Sequence, residues 1–285
     1  MKAKLFETVS YHLWQPCNMR CRFCYATFQD VKVDMNLPKG HQSKAETLHM
    51  LHLLAEHGVR KITFAGGEPM LCPWLLDLII EAKSIGLVTS IITNGSRLTA
   101  EWLQLFAGVL DWLGVSIDSL NPEVLIKSGR AVSGKSILPF AALTDLMLHA
   151  KKSFNIKLKV NTVVHSLNWQ EDLSTLLSNI KPDRWKVLQV LPMMGQNDGC
   201  DDLLITETEF NSFIQRHKQF NPIAESNELM RSSYMLIDPA GRFFNDANGF
   251  HSYSNPIAEI GIEEAFAQVN VNRETFLQRG GVYNW

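Results

Sequence analysis

Cys17-Asn18-Met19-Arg20-Cys21-Arg22-Phe23-Cys24 decides how the rest of the chain is read. Three of the five cysteines in 285 residues fall in these eight positions, spaced C-x3-C-x2-C, just after an apolar, strand-like opening. Thiolates this close can converge on one metal centre. A structural zinc site usually takes four ligands, and no C-x-x-C or H-x-x-x-H partner follows to complete one. A cubane iron–sulfur cluster normally takes four thiolates, so three nearby cysteines point to an iron left open for another ligand. The bland alternative is three inert thiols, since free cysteine often packs as a small hydrophobe.

Outward from this loop the sequence repeats one rhythm: a β-rich run, a turn, then a helical pattern. Leu5–Trp14 is expected as the first strand. Ser43-Lys44-Ala45-Glu46 is a capping box, with apolar residues recurring at Ala45, Leu48, Leu51 and Ala55 and Gly58 at the stop. The expected elements continue as Lys61–Ala65 (strand), Trp74–Ser84 (helix), Val88–Thr93 (strand) and Thr99–Phe106 (helix). Leu113–Asp118 follows as a strand, and Asn121-Pro122 opens a helix with Pro at its first position. Ile137–Lys151 is expected as a helix and Lys157–Val164 as a strand. Asn168–Ile180 reads as a helix capped by Asn168 with Glu171 three residues on, and Arg184–Leu191 as a sixth strand. Strands alternating with helices predict an α/β fold with parallel strands and right-handed crossovers. After residue 192 the rhythm changes. A helix at Thr206–Lys218 opens with the box Thr206-x-x-Glu209, a hairpin turns at Pro239-Ala240-Gly241, and short helices are expected near Glu263–Val269 and Arg273–Gln278. Residues 1–192 are taken as a partial barrel and 193–285 as an α+β extension capping it, the two forming one functional domain.

Composition narrows the class. Apolar residues make up 46% and charged residues 20%, enough for a buried core on an ordinary charged surface. A net charge of −2 gives no reason to expect direct nucleic-acid or membrane partners. An anionic ligand must then be held by a local basic cluster. Five cysteines, three of them clustered, suit a reducing compartment better than a disulfide framework. Met1-Lys2-Ala3-Lys4 leads straight into Glu7 with no apolar signal region, and even the apolar run Trp74–Ile80 contains Asp77. A cytoplasmic enzyme is the expectation.

Side chains on a strand alternate faces. Lys61, Thr63 and Ala65 therefore oppose Ile62 and Phe64, and Lys157, Lys159 and Asn161 oppose Leu158 and Val160. Arg184 and Lys186 oppose Trp185 and Val187, Ser116 and Asp118 oppose Val115 and Ile117, and Ser10, His12 and Trp14 share a face of the first strand. In a parallel barrel such polar faces would line the lumen, with ligand sites at the strands' C-terminal ends. Cations from successive strands converging in a cavity suit a polyphosphate. Gly66-Gly67-Glu68-Pro69 closes the second strand, where adjacent glycines let backbone approach a ligand. Asn94-Gly95 ends the third strand and also fits a plain turn. His49, His52 and His57 fit a solvated helix face, Cys72 and Cys200 structural thiols, and Asp201-Asp202 a solvated loop.

With these residues in view, the chain resembles the radical S-adenosylmethionine (SAM) enzymes, on C-x3-C-x-Phe23-Cys24 together with Gly66-Gly67-Glu68-Pro69. The resemblance implies a partial (βα)6 radical SAM barrel, with a 4Fe–4S cluster on Cys17, Cys21 and Cys24 whose open iron binds SAM. It also implies reductive cleavage of SAM to a 5′-deoxyadenosyl radical that takes a hydrogen from substrate. Further stretches are similar to the viperin family: Ser10-Tyr11-His12, Lys61-Ile62-Thr63-Phe64, Ser90-Ile91-Ile92-Thr93-Asn94-Gly95-Ser96, Lys159-Val160-Asn161, Arg184-Trp185-Lys186-Val187, Glu225-Ser226-Asn227, Ser233-Tyr234 and Arg279-Gly280-Gly281. Viperins convert a nucleoside triphosphate, CTP in the animal proteins and CTP, UTP or GTP in prokaryotic ones, to a 3′-deoxy-3′,4′-didehydro analogue that terminates viral chain synthesis.

Position by position, the likeness implies that Lys61, Lys159, Arg184, Lys186 and Arg279 hold the triphosphate. Ser10, Ala65, Asn94, Asn227 and Tyr234 would position the nucleotide. Gly66, Gly67, Glu68, Ser116, Arg130 and Asn161 would contact SAM, with Phe23 near its adenine. Tyr234 and His12 are the candidate general acids, and an electron donor such as flavodoxin or ferredoxin is the implied partner. The chain departs from the animal proteins in lacking an amphipathic membrane helix, in carrying Ser10 and Ala65 where they have Asn and Ser, and in stopping at Val282-Tyr283-Asn284-Trp285. Two competing readings are a radical SAM enzyme acting on another phosphorylated or heterocyclic molecule, and a non-catalytic iron–sulfur or zinc module.

Overall fold

A computed structural model describes residues 6–285. Leu5 of the expected first strand and the terminal Met1-Lys2-Ala3-Lys4 lie outside the described residues. Six parallel strands alternate with helices: β1 Thr8–Trp14, β2 Lys61–Gly66, β3 Val88–Thr93, β4 Trp112–Ser116, β5 Lys157–Val164 and β6 Arg184–Gln189. Between them run α1 Lys44–Glu56, α2 Leu75–Ser84, α3 Ala100–Phe106, α4 Pro122–Lys127, α5 Phe140–Phe154 and α6 Ser174–Ile180. The local signals behind these helices are physically present. Ser43 and Glu46 form the reciprocal capping box of α1, and Thr99 and Asn121 accept from backbone N–H groups at the starts of α3 and α4.

Two details differ from the sequence expectation. Asn168 does not cap a helix, and α6 begins six residues later. Its amide donates instead to the carbonyls of Asp118 (2.7 Å) and Val163 (2.9 Å), while Glu171 accepts from the Ser119 hydroxyl and the Leu120 amide. Long-range partners outcompeted the local cap. Trp14 also leaves the lumen face, because the β1–β2 register shifts between His12 and Trp14. That bulge turns Trp14 into the core, where it stacks on His41 at 4.0 Å.

The extension contributes α7 Glu207–Arg216 behind the box Thr206/Glu209, then β7 Ile223–Glu225, α8 Asn227–Met230, β8 Leu236–Ile237, β9 Phe243–Asn245 and β10 Ser252–Tyr253. It ends with α9 Ile257–Ile260, α10 Ile262–Ala267 and α11 Arg273–Gln278. These strands do more than cap. β7 pairs parallel with β6 at one edge and β8 parallel with β1 at the other, giving a ten-stranded sheet ordered β10-β9-β8-β1-β2-β3-β4-β5-β6-β7. The two flanks meet through side chains, the Tyr234 hydroxyl donating to Glu225.

Alternation sorts the strands as expected. Ile62, Phe64, Leu158, Val160, Trp185 and Val187 are buried in the main core with Met50, Leu51 and Leu54 of α1 and Leu75, Leu78 and Ile79 of α2. Each such side chain contributes roughly 1.5–3 kcal/mol by leaving water. The opposite residues of the same strands face inward and build the site. No helix among the described residues is long and apolar enough to cross a membrane.

Candidate active site

A cavity of about 740 Å³ opens at the C-terminal ends of the parallel strands. Cys17, Cys21 and Cys24 line it together with Phe23, Gly66, Gly67, Asn94, Ser116, Arg130 and Asn161. The cysteine loop is pinned by tertiary bonds rather than by secondary structure. The Arg20 and Arg22 amides donate to the carbonyls of Gly129 (3.2 Å) and Ser128 (2.9 Å), and the Ser133 amide to that of Asn18 (2.9 Å). Gly129 sits at φ +79°, and a Cβ there would lie 2.0 Å from the Arg20 carbonyl oxygen. Gly67 is equally constrained, since its Cβ would lie 2.2 Å from the Gln15 carbonyl oxygen. Any side chain at either position would push the loop away.

The donor set fits an iron–sulfur centre with SAM beside it. All five cysteines are free, the three of the loop partly exposed and Cys72 and Cys200 buried, and neither of the latter two lines the cavity. Among the described residues no group of three or more His, Cys, Asp or Glu is arranged to hold a metal ion, and this includes the three cysteines, which share one cavity without forming a closed ligand set. Burial raises the three thiols, Cys21 to about 12, so a metal centre must displace their protons to bind. Asn161 Oδ1 is buried without a partner and lines the same cavity, an acceptor awaiting a donor. Arg130 lies 5.2 Å over the Phe23 ring and is held by Asp118 at 2.6 Å, which keeps the guanidinium charged although burial opposes it.

Four of the expected site residues have partners that the sequence did not show. The Glu68 carboxylate is not among the groups lining the cavity. It accepts from Thr93 Oγ1 (2.6 Å) and the amides of Asn94 (2.7 Å) and Met70 (3.0 Å), and burial raises its pKa against those bonds. Asn94 lines the cavity, yet its amide is committed to the loop, donating to Asn18 Oδ1 at 3.0 Å and lying 3.9 Å from Cys17 Sγ. Asn227 lines neither cavity; its backbone N–H donates to Gln189 Oε1 at 3.1 Å. His12 lines the large cavity and packs against Tyr25, Phe28 and Phe244, and burial lowers it to about 3, so it is neutral at pH 7 and carries no imidazolium proton to give.

Toward the strands' N-terminal ends the lumen continues into a cavity of about 50 Å³ lined by Lys61, Lys159, Arg184, Lys186 and Arg279. Ser10, Lys159, Lys186 and Tyr234 line both cavities, so the two are adjacent. All five expected cations therefore converge, and Ala65 sits above them in the larger space. Their crowding is visible in their ionisation. Burial, then neighbouring cations, lowers Lys61 to about 6 and Lys159 well below its usual range, while Lys186 is lowered to about 8. One carboxylate answers them. Burial alone would raise Glu225, but Lys186 and Arg279 hold it below the ordinary value. Tyr234 accepts from Lys186 Nζ at 2.5 Å and lies 3.4 Å beneath the Arg279 guanidinium, with burial holding its proton on.

Three of these groups escaped the reading of the sequence as site residues. Asp118 was legible on the same face as Ser116 of the strand expected at Leu113–Asp118, and it lies two residues past the end of β4. Glu225 stood inside a quoted motif, with nothing local to show that it meets Lys186. Tyr283 reaches the small cavity from the C-terminal segment, 222 residues from its partner Lys61, and no local pattern marks it.

The comparisons agree with this geometry. Residues 13–174 match the family model of the radical SAM superfamily. An S-adenosylmethionine-dependent nucleotide dehydratase of Flammeovirga pacifica is 46% identical over 99% of this chain and 97% of its own. One of Lacinutrix mariniflava is 50% identical over 98% of this chain, which spans only 58% of that relative's length. The RSAD2 enzyme of that name in Oncorhynchus mykiss is 32% identical over 98% of this chain and 80% of its own. Among solved structures, native anSMEcpe with bound AdoMet superposes with a TM-score of 0.68 at 13% identity, covering 95% of this chain and 82% of that one. Streptococcus suis SuiB bound to S-adenosylmethionine gives 0.64 at 14% identity, over 84% of this chain and 60% of that one. On the family match and these near-full-length identities, the chain belongs to the radical SAM superfamily and, within it, to the viperin-like S-adenosylmethionine-dependent nucleotide dehydratases.

Proposed function

We propose that this enzyme removes water from a nucleoside triphosphate, CTP or UTP favoured, to give its 3′-deoxy-3′,4′-didehydro analogue, an antiviral chain terminator. A radical SAM protein uses a 4Fe–4S cluster and SAM, and when bound these supply hydrogen-atom abstraction, with electrons from a donor such as flavodoxin or ferredoxin. Cys17, Cys21 and Cys24 would hold the cluster, and Phe23, Gly66, Gly67, Ser116, Arg130 and Asn161 would surround SAM. Lys61, Lys159, Arg184, Lys186 and Arg279 would hold the triphosphate, with the sugar and base beside Ser10, Ala65 and Tyr234.

One observation carries the reading. Four cations (Lys61, Arg184, Lys186 and Arg279) and a single carboxylate (Glu225) are buried, with Lys159 half-buried among them, at the end of the lumen away from the three thiols. Buried cations without counter-charge are costly, and a polyanion is the ligand that relieves them. Loss of the ribose 4′ hydrogen, departure of the 3′ hydroxyl with one proton as water, and a second electron balance the reaction. Tyr234 would give that proton once its hydroxyl turns from Glu225 to the substrate, with Lys186 beside it to restore the phenol; His12, neutral at pH 7, is the weaker candidate for this role. Residues 193–285 act in this reading as part of the same functional domain, since they supply Glu225, Tyr234 and Arg279.

The test is anaerobic reaction with reductant, SAM and each of the four nucleoside triphosphates, followed by mass spectrometry. The expected result is 5′-deoxyadenosine together with a nucleotide lighter by one water. Formation of 5′-deoxyadenosine with every triphosphate intact would reject the dehydratase reading.

A further inference from the structure

Two of the cations at the closed end are held by the chain's own C-terminal segment. The Tyr283 ring lies 3.9 Å beneath the Arg184 guanidinium and 4.2 Å from Lys61 Nζ, edge-on to Trp112, and its hydroxyl accepts a hydrogen bond from Lys61. Arg184 also donates to the Gly280 carbonyl at 2.7 Å. Tyr283 lines the small cavity with Lys61 and Arg184, none of which reaches the large one, whereas Lys159 and Lys186 line both. On β2 the distance from Ala65, beside the large cavity, to Lys61 at the bottom is four residues, about 13 Å of strand.

We infer that Tyr283 is a specificity-determining residue: with Lys61 and Arg184 it receives the terminal phosphate of the nucleotide, so that the site distinguishes a triphosphate from a diphosphate. The inference rests on the nucleotide reading above and adds to it how the phosphate chain is measured. Because the phenol accepts from Lys61, its own O–H is left to donate to a phosphate oxygen. Burial raises the pKa of Tyr283 although Arg184 and Arg279 oppose it, so the donor keeps its proton. A neutral donor adds recognition without adding a sixth charge to the crowded cations. A diphosphate held by Lys159 and Lys186 ends short of this group and leaves a half-buried donor unpaired. That is the arrangement by which a site rejects a ligand lacking one polar group.

The experiment measures binding of CTP, CDP and CMP by calorimetry to the anaerobic, SAM-loaded holoenzyme and to its Tyr283→Phe variant. The phenylalanine keeps the ring under Arg184 and removes only the hydroxyl. The expected result is a triphosphate affinity about tenfold lower with diphosphate affinity unchanged, and with SAM affinity and melting temperature as in the wild type. Equal losses for CTP and CDP would assign Tyr283 a merely structural role and overturn the inference, as would no loss for CTP. UTP and UDP are run alongside so that a preference for the other pyrimidine is not mistaken for failure. A wild-type enzyme that binds none of these nucleotides overturns the nucleotide reading itself, and with it this inference, which is a different outcome from selectivity insensitive to the phenol.

Discussion

At the mouth of the lumen three cysteines come from one eight-residue loop, whereas at its closed end five cations come from β2, β5, β6 and the end of α11. The first set is close in sequence and needs only a few backbone bonds, to Ser128, Gly129 and Ser133, to be held in place. The second exists only when the parallel register is right, Lys159 facing Arg184 across β5 and β6. A one-residue slip of β5 would turn Lys159 into the core and Val160 into the lumen. The mouth is also electrostatically relaxed, with Arg130 paired to Asp118, while the closed end has Glu225 as its one buried carboxylate against five cations. The radical-generating end is thus a local device, and the substrate-selecting end is a property of the whole sheet.

If the two ends are independent, the largest effect comes from breaking the local device alone. Cys21→Ser should lower 5′-deoxyadenosine formation more than about a hundredfold, since losing a ligand exceeds the 10–100-fold seen for outer-shell partners. Nucleoside triphosphate affinity should stay within about twofold, as expected of distant sites that share no partner. A matching loss of triphosphate affinity in calorimetry would show that the loop and the cations form one cooperative unit, and the comparison would fail.

Removing one cation tests the other end. Lys159→Ala should weaken triphosphate binding about thirtyfold or more, the cost of truncating a buried charge that pairs with ligand, while reductive cleavage of SAM persists. The empty enzyme should melt no lower than the wild type, because Lys159 is half-buried beside Lys61, Lys186 and Arg184 and its removal relieves repulsion. A large fall in melting temperature together with unchanged triphosphate affinity would recast Lys159 as packing.

The same contrast governs what could be read from the sequence. The cysteine spacing, the capping boxes at Ser43 and Thr206, and the two-residue alternation that turned Lys61, Lys159, Asn161, Arg184 and Lys186 inward are short-range signals, and they survived folding. What failed depends on partners far along the chain. The bulge between His12 and Trp14 moved Trp14 to the core. Asn168 and Glu171 abandoned a local helix start for Asp118, Ser119 and Leu120. Glu225 and Tyr283 became site groups only because β7 and the C-terminal segment return to the lumen. The extension was expected as a cap, and it proved to add strands to both edges of the sheet.

The crowding at the closed end should itself be measurable as a pH dependence, a smaller effect than either substitution. Lys61 is lowered to about 6 in the folded chain, mainly by burial and next by Arg184 and Lys157, against about 10.4 when unfolded. Between those values the unfolded chain binds more protons than the native one, so stability rises with pH. His12, His165 and His251, lowered to about 3, 4 and 4, act in the same direction but finish near their unfolded value of about 6.5. Above about 8.5 the unfolded cysteines ionise and pull the other way. In the window of roughly pH 6.5 to 8 the lowered Lys159 and Lys186 push in the same direction as Lys61, which itself contributes a slope of at most about 1.4 kcal/mol per pH unit. A bound triphosphate restores the charge on Lys61 and removes its share of the slope, so the stabilisation by ligand should be greatest near pH 6.5 and shrink toward pH 8. Denaturant unfolding of wild type and Lys61→Met across this window, with and without CTP, isolates the effect, because the thiol and histidine contributions cancel in the difference. A wild-type slope no steeper than that of Lys61→Met would mean that Lys61 is already charged in the empty lumen, and that Tyr283 and Glu225 compensate it better than their geometry implies.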